Sequence, residues 1–409
     1  MTLEAVVREE WGRLTSLLLA QFRRLDLVED ALGDAVEAAA RRWPVDGVPD
    51  NPAAWLHTVA RRRVLDRLRA ESMARRKEPL LVVEALREEG GTAMADPGGL
   101  VEDDLLRLVL MCSHPALAPE AASALTLRLV LGVSTHDVAR LFLVGETTMA
   151  ARLTRAKKKV VAAGIPFAVP SADVLPDRLD TVAQTAYLGF TAGYAPGSGP
   201  DLLRADLAGE AVRLVRVVLR VRPDEASLVA LLALMLLQHS RRDARVDDAG
   251  RLVLLDDQDR TRWRRDEVDE ALALLRSPVL ARPVTPLAAS YAVQARIAAE
   301  HATAARAGET RWDRIVDLYD LLLRIVPSPS ARLARAVAVA EASGPAGGLA
   351  ALDDVDLPGS HRPAAVRAEL LTRVGEPDAA RAAYDQAIAA CRNDAEREHL
   401  RAKRAALGA

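Results

Sequence analysis

The chain is 409 residues long, half of them apolar, with 57 acidic side chains set against 55 Lys and Arg for a net charge of −2. That length implies two or three domains with separate cores, and no run of 18 or more uninterrupted apolar residues offers a membrane span. Seven scattered His without HExxH spacing, two distant cysteines (Cys112 and Cys391) and no GxSxG, Walker or GxGxxG motif leave no catalytic residue, metal or cofactor to expect.

Ala, Leu, Arg and Glu dominate, Gly and Pro fall at helix borders, and period-2 alternation hardly occurs, so the expected fold class is all-α. MTLEAVVREEWGR lacks the charged-then-apolar layout of a secretory signal, which points to a cytoplasmic protein. Residues 3–21 place Val7, Trp11, Leu14, Leu18 and Phe22 on one helical face. Residues 26–42 form a second helix, acidic at its start as the helix dipole favours. Between Trp43 and Trp55, PVDGVPDNPAA reads as a loop.

Residues 51–69, NPAAWLHTVARRRVLDRLR, are the most informative segment. Trp55, Leu56, Val59, Val64, Leu65 and Leu68 make an apolar stripe, and Arg61, Arg62, Arg63, Arg67 and Arg69 fill the rest. An almost purely Arg face suits phosphates and base edges, because each guanidinium presents a planar fork of donors; Arg61, Arg62 and Arg67 are expected on one polar face. The bundle ends near Arg76. Charge then reverses: residues 51–77 carry +6, whereas residues 78–104 carry −7, so the near-neutral total says nothing against nucleic acid.

After an acidic linker at 77–101, a small helical domain at 102–164 ends in a helix-turn-helix. Ser134 caps its first helix, and Gly145 sits in the turn, where it would tolerate left-handed dihedrals. The second helix buries Met149, Leu153, Ala156 and Val160 and carries Arg152, Arg155, Lys157, Lys158 and Lys159. A Pro-rich linker at 165–177 precedes a helical unit over 178–409. There Gly375, Ala380, Tyr384 and Ala387 follow tetratricopeptide offsets, with weaker echoes at Gly344/Leu349 and Tyr319/Leu322/Pro327, and helical-hairpin stacking is expected. The charged stretch 240–270 reads as salt-bridged helix ends around one short hairpin, with a partner-docking surface as the alternative.

The segments DLVEDALGD, Arg42-Trp43, WLHTVARRRVLDRLR and RLTRAK resemble the extracytoplasmic-function sigma factors of bacterial RNA polymerase. RWPVDGVPDNPAAWL, DDLLRLVLMCSHPAL, AGIPFAVP, LLALMLLQHSRRDARVD and LVLLDDQDRTRW are similar to the subgroup with a long C-terminal tetratricopeptide-like extension of the DUF6596 type. The resemblance implies sigma region 2 at 1–76 and region 4 at 102–164, two small sigma domains joined by the acidic linker, with core RNA polymerase and promoter DNA as partners.

On matching positions it implies that Asp30, Asp34 and Glu37 dock on the polymerase, with Gly33 where many relatives carry Gln. It assigns melting and reading of the −10 element, with a base flipped from the stack, to Asp50 and Asn51 in the loop and to Arg61, Arg62, Arg63 and Arg67; Arg63 stands where Asn is usual. The −35 element falls to Thr148, Ala150, Ala151, Arg152, Thr154, Arg155, Lys157 and Lys158, with Arg152 and Lys157 towards phosphates. Alanine can touch a thymine methyl but donates no hydrogen bond, so readout leans on Arg155 and DNA shape. The linker would thread the polymerase's RNA path as a nucleic-acid mimic. The C-terminal unit would dock on the first two domains or on polymerase through 240–270. Two other readings are a stand-alone helix-turn-helix regulator with a C-terminal sensor domain, and a tetratricopeptide-type scaffold whose basic helices are incidental.

Overall fold

A computed structural model describes residues 2–75, 98–142, 144–194, 205–247, 253–281 and 285–407, and they form helices with no β-strand among them. The described residues divide into two compact units, Met1–Thr185 and Ala186–Ala409. No helix among them is long and apolar enough to cross a membrane.

The first unit opens with a three-helix bundle of α1 (Leu3–Phe22), α2 (Leu25–Asp46) and α3 (Pro52–Arg75). Thr2 caps α1 by accepting from Ala5 N at 3.3 Å, and Arg23, left-handed at φ 54, closes it. α2 runs four residues past its expected end and takes in Pro44. Trp43 is buried in the bundle, and Gly47 at φ 86 stops the helix by donating to Trp43 O. The expected loop therefore shrinks to residues 47–51. Asn51 Oδ1 then accepts from Ala54 N at 3.0 Å with Pro52 in the first turn, a start signal for α3. Leu56, Ala60 and Val64 from α3 meet Leu18, Val28 and Leu32 in one core, with Trp55, Val59 and Leu68 at its edge.

α4 (Gly98–Cys112), α5 (Pro119–Leu129), α6 (Thr135–Leu141) and α7 (Glu146–Ala162) follow. The expected acidic linker lies outside the described residues over 77–97, and its final residues already belong to α4. Ser134 Oγ caps α6 by accepting from Asp137 N at 3.0 Å. Gly145 is extended (φ −63, ψ 148) as the residue before α7, so the left-handed turn expected there does not form. The buried side chains of α7 are Met149, Leu153, Ala156 and Val160, the stripe expected from their spacing.

These helices do not stand apart from the bundle; α1 packs on α4 and α5 within the same compact unit. The approach is close enough to require glycine on both sides. A Cβ on Gly12 would lie 2.4 Å from Val130 O, and one on Gly132 would lie 2.6 Å from Trp11 Cγ. The Arg128 guanidinium rests over the Trp11 ring at 5.4 Å and donates through Nε to buried Glu29 at 2.8 Å. The first half of α8 (Leu175–Tyr194) also belongs to this unit. Arg178 Nη2 donates to Leu110 O at 2.6 Å, and Ser123 Oγ donates to Thr185 O at 3.3 Å. The unit thus extends past the expected boundary at 177.

In the second unit, α9 (Ala205–Val221), α10 (Ala226–His239), α11 (Arg265–Leu275), α12 (Pro286–Thr303), α13 (Trp312–Ile325) and α14 (Pro329–Ser343) lead to α15 (Pro345–Leu352), α16 (Arg362–Val374), α17 (Pro377–Ala390) and α18 (Asp394–Ala406). Most helices adjacent in sequence pack on one another, and α10 also packs on α12. α10 is buried nearly all round and forms the spine. Ala380, Tyr384 and Ala387 are buried, and Gly375 at φ 81 closes α16. In the stretch 240–270, Arg242 pairs with Glu267 at 2.9 Å and Arg264 with Asp243 at 2.7 Å. Of the expected hairpin, residues 248–252 lie outside the described set; Val253 N donates to Arg245 O at 2.9 Å beside it.

Candidate nucleic-acid interface

α3 carries the arginines of the proposed −10 surface, and packing sorts them. Arg62 and Arg63 are exposed and Arg61 is half-buried. Arg67 turns the other way: Nη2 reaches Asp34 Oδ2 at 2.8 Å and Nη1 reaches Asp30 Oδ2 at 3.4 Å. It therefore shares no polar face with Arg61 and Arg62, because a 3.6-residue period points residues 61 and 67 about 120° apart. Its partners are two of the carboxylates read as polymerase contacts, and the third, Glu37, pairs with Arg41 at 3.1 Å on the exposed side of α2. Gly33 lies between them with nothing within 4 Å of an added Cβ, so packing does not demand a glycine there.

The short loop before α3 holds Asp50 and Asn51, both on the surface, with the Asn51 side-chain oxygen engaged as the helix cap. Trp43 and Trp55 meet edge to face at 5.7 Å and pin the two ends of the turn. Two apolar side chains stand out beside it: Val45 is 83% and Val48 49% exposed. Sequence reasoning passed over them because each is a single valine in a stretch of Pro, Gly and Asp, with no periodic signal. Across the loop a cavity of about 220 Å³ opens between α1 and the start of α3, lined by Glu10, Arg13, Leu17, Asn51, Ala53 and His57. Burial first, and the Arg61 charge second, hold the His57 imidazole below its ordinary pKa and hence neutral at pH 7.

On α7, Thr148, Ala150, Ala151, Thr154, Arg155 and Lys158 are exposed. Thr148, Ala151, Arg155 and Lys158 follow helical spacing and form a stripe opposite the buried side chains. The Thr154 hydroxyl donates to Ala150 O at 2.9 Å. Arg152 is half-buried and lies 3.7 Å from Glu120. Lys157 points inward: its ammonium is bonded to Glu29, the same buried carboxylate that receives Arg128. Of the eight side chains read as −35 contacts, Lys157 is thus engaged with α2 in this arrangement.

Residues 6–73 match Sigma-70 region 2, and residues 107–160 match Sigma-70, region 4. The chain belongs to the sigma-70 family. Region 2 is the α1–α3 bundle, and region 4 runs from within α4 through α7, the layout of an extracytoplasmic-function type sigma factor with a C-terminal extension. This sigma factor serves promoter recognition and transcription initiation, and sigma-70 proteins act in that process as non-enzymatic factors. Residues 178–278 match a family of unknown function (DUF6596). The sigma factor is also 42% identical over 388 residues to an uncharacterized protein of Rhizobium meliloti (strain 1021), covering 94% of this chain and 90% of that one.

The sigma factor also has a side-chain cluster that sequence spacing did not reveal. His361, Cys391 and Glu396, from three different helix ends, bring their donor atoms within 4.8 Å of one another. His361 Nε2 and Glu396 Oε2 are hydrogen-bonded at 3.1 Å, and burial pushes the Cys391 thiol up, away from the thiolate that binds metals. Its bonds describe a junction between α16 and α18.

Proposed function

We propose that the sigma factor binds core RNA polymerase in the cytoplasm through the outer face of α2. It then reads −10 DNA with α3 and its loop, and reads −35 DNA with the exposed stripe of α7. The observation that carries this reading is the sorting of the basic side chains. Arg62, Arg63, Arg155 and Lys158 face solvent from α3 and α7, whereas Arg67 and Lys157 are spent on carboxylates of α2. Val45 and Val48 are placed to wedge between bases, and the cavity beside Asn51 offers room for one unstacked base. Asp30 and Asp34 reach the polymerase once a basic group there displaces Arg67. Run-off transcription with purified core polymerase tests the whole reading: specific transcripts are expected only with the protein present, and their absence on every promoter tried refutes it.

Within α7, Arg155 and Lys158 are expected to behave differently. A guanidinium can make a bidentate contact to guanine O6 and N7, so Arg155→Ala costs about 1–3 kcal/mol at one base pair and relaxes discrimination there. Lys158→Ala weakens all sequences evenly and lowers the salt slope by about 0.9. Binding to a set of single-base promoter variants separates them, and identical profiles would refute the assignment of Arg155.

The second unit is read as a regulatory or interaction domain of the same chain. Many charges of 240–270 are paired within the unit, so docking on region 2, region 4 or polymerase falls to the exposed Asp257, Arg262, Asp266 and Asp269. Covalent linkage keeps the local concentration near millimolar, at which even a weak contact is populated. Removing it tests this. A chain ending at Thr185 retains the whole first unit, including the bonds from Arg178 and Thr185 that a cut at residue 170 would lose. Transcription is expected to change at least several-fold; wild-type promoter activity and core affinity in the shortened chain would remove the regulatory role.

A further inference from the structure

The second unit holds a cavity of about 430 Å³ between α10, α12, α13 and α14, within the range of small-molecule sites. Aliphatic side chains form its walls, among them Leu234, Ile297 and Leu322. Its polar groups include Arg241, Gln294, His301 and Tyr319, and no Asp or Glu is among the described residues that line it.

Arg241 is the one charged side chain among the described residues that line the cavity. The Arg241 guanidinium lies over the Trp263 ring, 5.8 Å from its centroid. Behind the wall, buried Arg260 donates to His301 O at 2.6 Å and Ala304 O at 2.5 Å, at the end of α12. Burial, then Arg241 and Arg260, lower the His301 pKa to about 4, so the imidazole is neutral. Its Nδ1 is buried without a hydrogen-bond partner among the described residues. Burial raises the Tyr319 phenol to about 12, so it too is uncharged and keeps its proton. The Arg241 charge, neutral hydrogen-bonding groups and aliphatic side chains together favour an anionic head on an apolar body; a cation would find no carboxylate among the described residues that line the cavity.

We propose that this cavity binds a small aliphatic carboxylate, its head group against Arg241 and its chain along Leu234, Ile297 and Leu322. The planar fork of Arg matches a carboxylate, and Leu234, Ile297 and Leu322 offer apolar surface to a tail. The site stands independently of the regulatory reading of the second unit; if that reading holds, the carboxylate is its input signal.

Titration calorimetry of the full chain with decanoate, and separately with the neutral decanamide, tests it. Saturable one-to-one binding of decanoate is expected, with decanamide at least about tenfold weaker. Arg241→Met keeps the aliphatic stem, and is expected to reduce decanoate binding to the level of the amide. Arg241 also packs on Trp263, so a second variant guards against misfolding: Ser330→Trp fills the cavity from an exposed position on α14 and is expected to abolish binding of both probes. No saturable decanoate binding by the wild-type chain, equal affinity for acid and amide, or binding that survives Ser330→Trp would each overturn the proposal.

Discussion

Gly12→Ala is expected to drive region 4 off region 2. The added Cβ would sit 2.4 Å from the backbone oxygen of Val130, and backbone cannot yield as a flexible side-chain tip would. Overpacking of this kind costs about 1–3 kcal/mol, and 2 kcal/mol shifts a two-state equilibrium about thirtyfold. The two halves keep their own cores, Leu18, Val28, Leu32 and Leu56 in one and Leu125, Leu129, Met149 and Leu153 in the other, so separation rather than unfolding is the expected outcome.

The functional consequence follows from size. A compact unit of 185 residues has a radius of gyration of about 16 Å and is roughly 40 Å across. The −10 and −35 elements are about 25 base pairs apart, roughly 85 Å at 3.4 Å per pair. On the reading proposed above, the packed form cannot reach both, so engaging both elements would require it to open and Lys157 to leave Glu29. Energy transfer between dyes placed at the exposed Met73 and Val161 is expected to fall in Gly12→Ala, and promoter occupancy with core polymerase to rise. Unchanged transfer would show that Val130 moves aside instead; reduced transfer with unchanged or lower occupancy would show that closure does not compete with DNA.

Replacing Arg62 and Arg63 together with alanine is expected to abolish promoter opening while leaving core binding intact. Both are exposed on α3 and neither contributes to its buried stripe, so the bundle is unaffected. If each neutralises one phosphate, the slope of log affinity against log salt flattens by about 1.8, and affinity at 0.15 M salt falls about thirtyfold. Arg67→Ala is the informative contrast. It removes the partner of Asp34 and Asp30, so the salt slope of DNA binding is expected to stay the same while core affinity changes. Salt titrations of promoter binding, with core binding measured alongside, check both; a flattened slope in Arg67→Ala would return that residue to the DNA surface.

Local, periodic features were legible in the amino-acid order. The apolar stripe of α3, the buried side of α7 and the Ala380–Tyr384–Ala387 packing repeat every three or four residues, and the Ser134 cap is a bond to the residue three further on, so each follows from the geometry of one helix. The family resemblance likewise rested on contiguous segments, and it holds for regions 2 and 4. Local reading failed where neighbours outside the segment set the backbone. Pro44 joined α2 where Trp43 is buried, and Gly145 is extended because it is the cap residue that opens α7. What only tertiary structure decided was the fate of each charge. Arg67 and Lys157 look in sequence like Arg62 and Lys158, yet their partners lie 33 and 128 residues away. A cation carries no mark of which distant carboxylate folding will bring to it. The meeting of Gly12 with Val130, and of Arg241 with His301 around one cavity, is hidden for the same reason: the chain's order fixes which helices exist, and their packing fixes which side chains remain for a ligand.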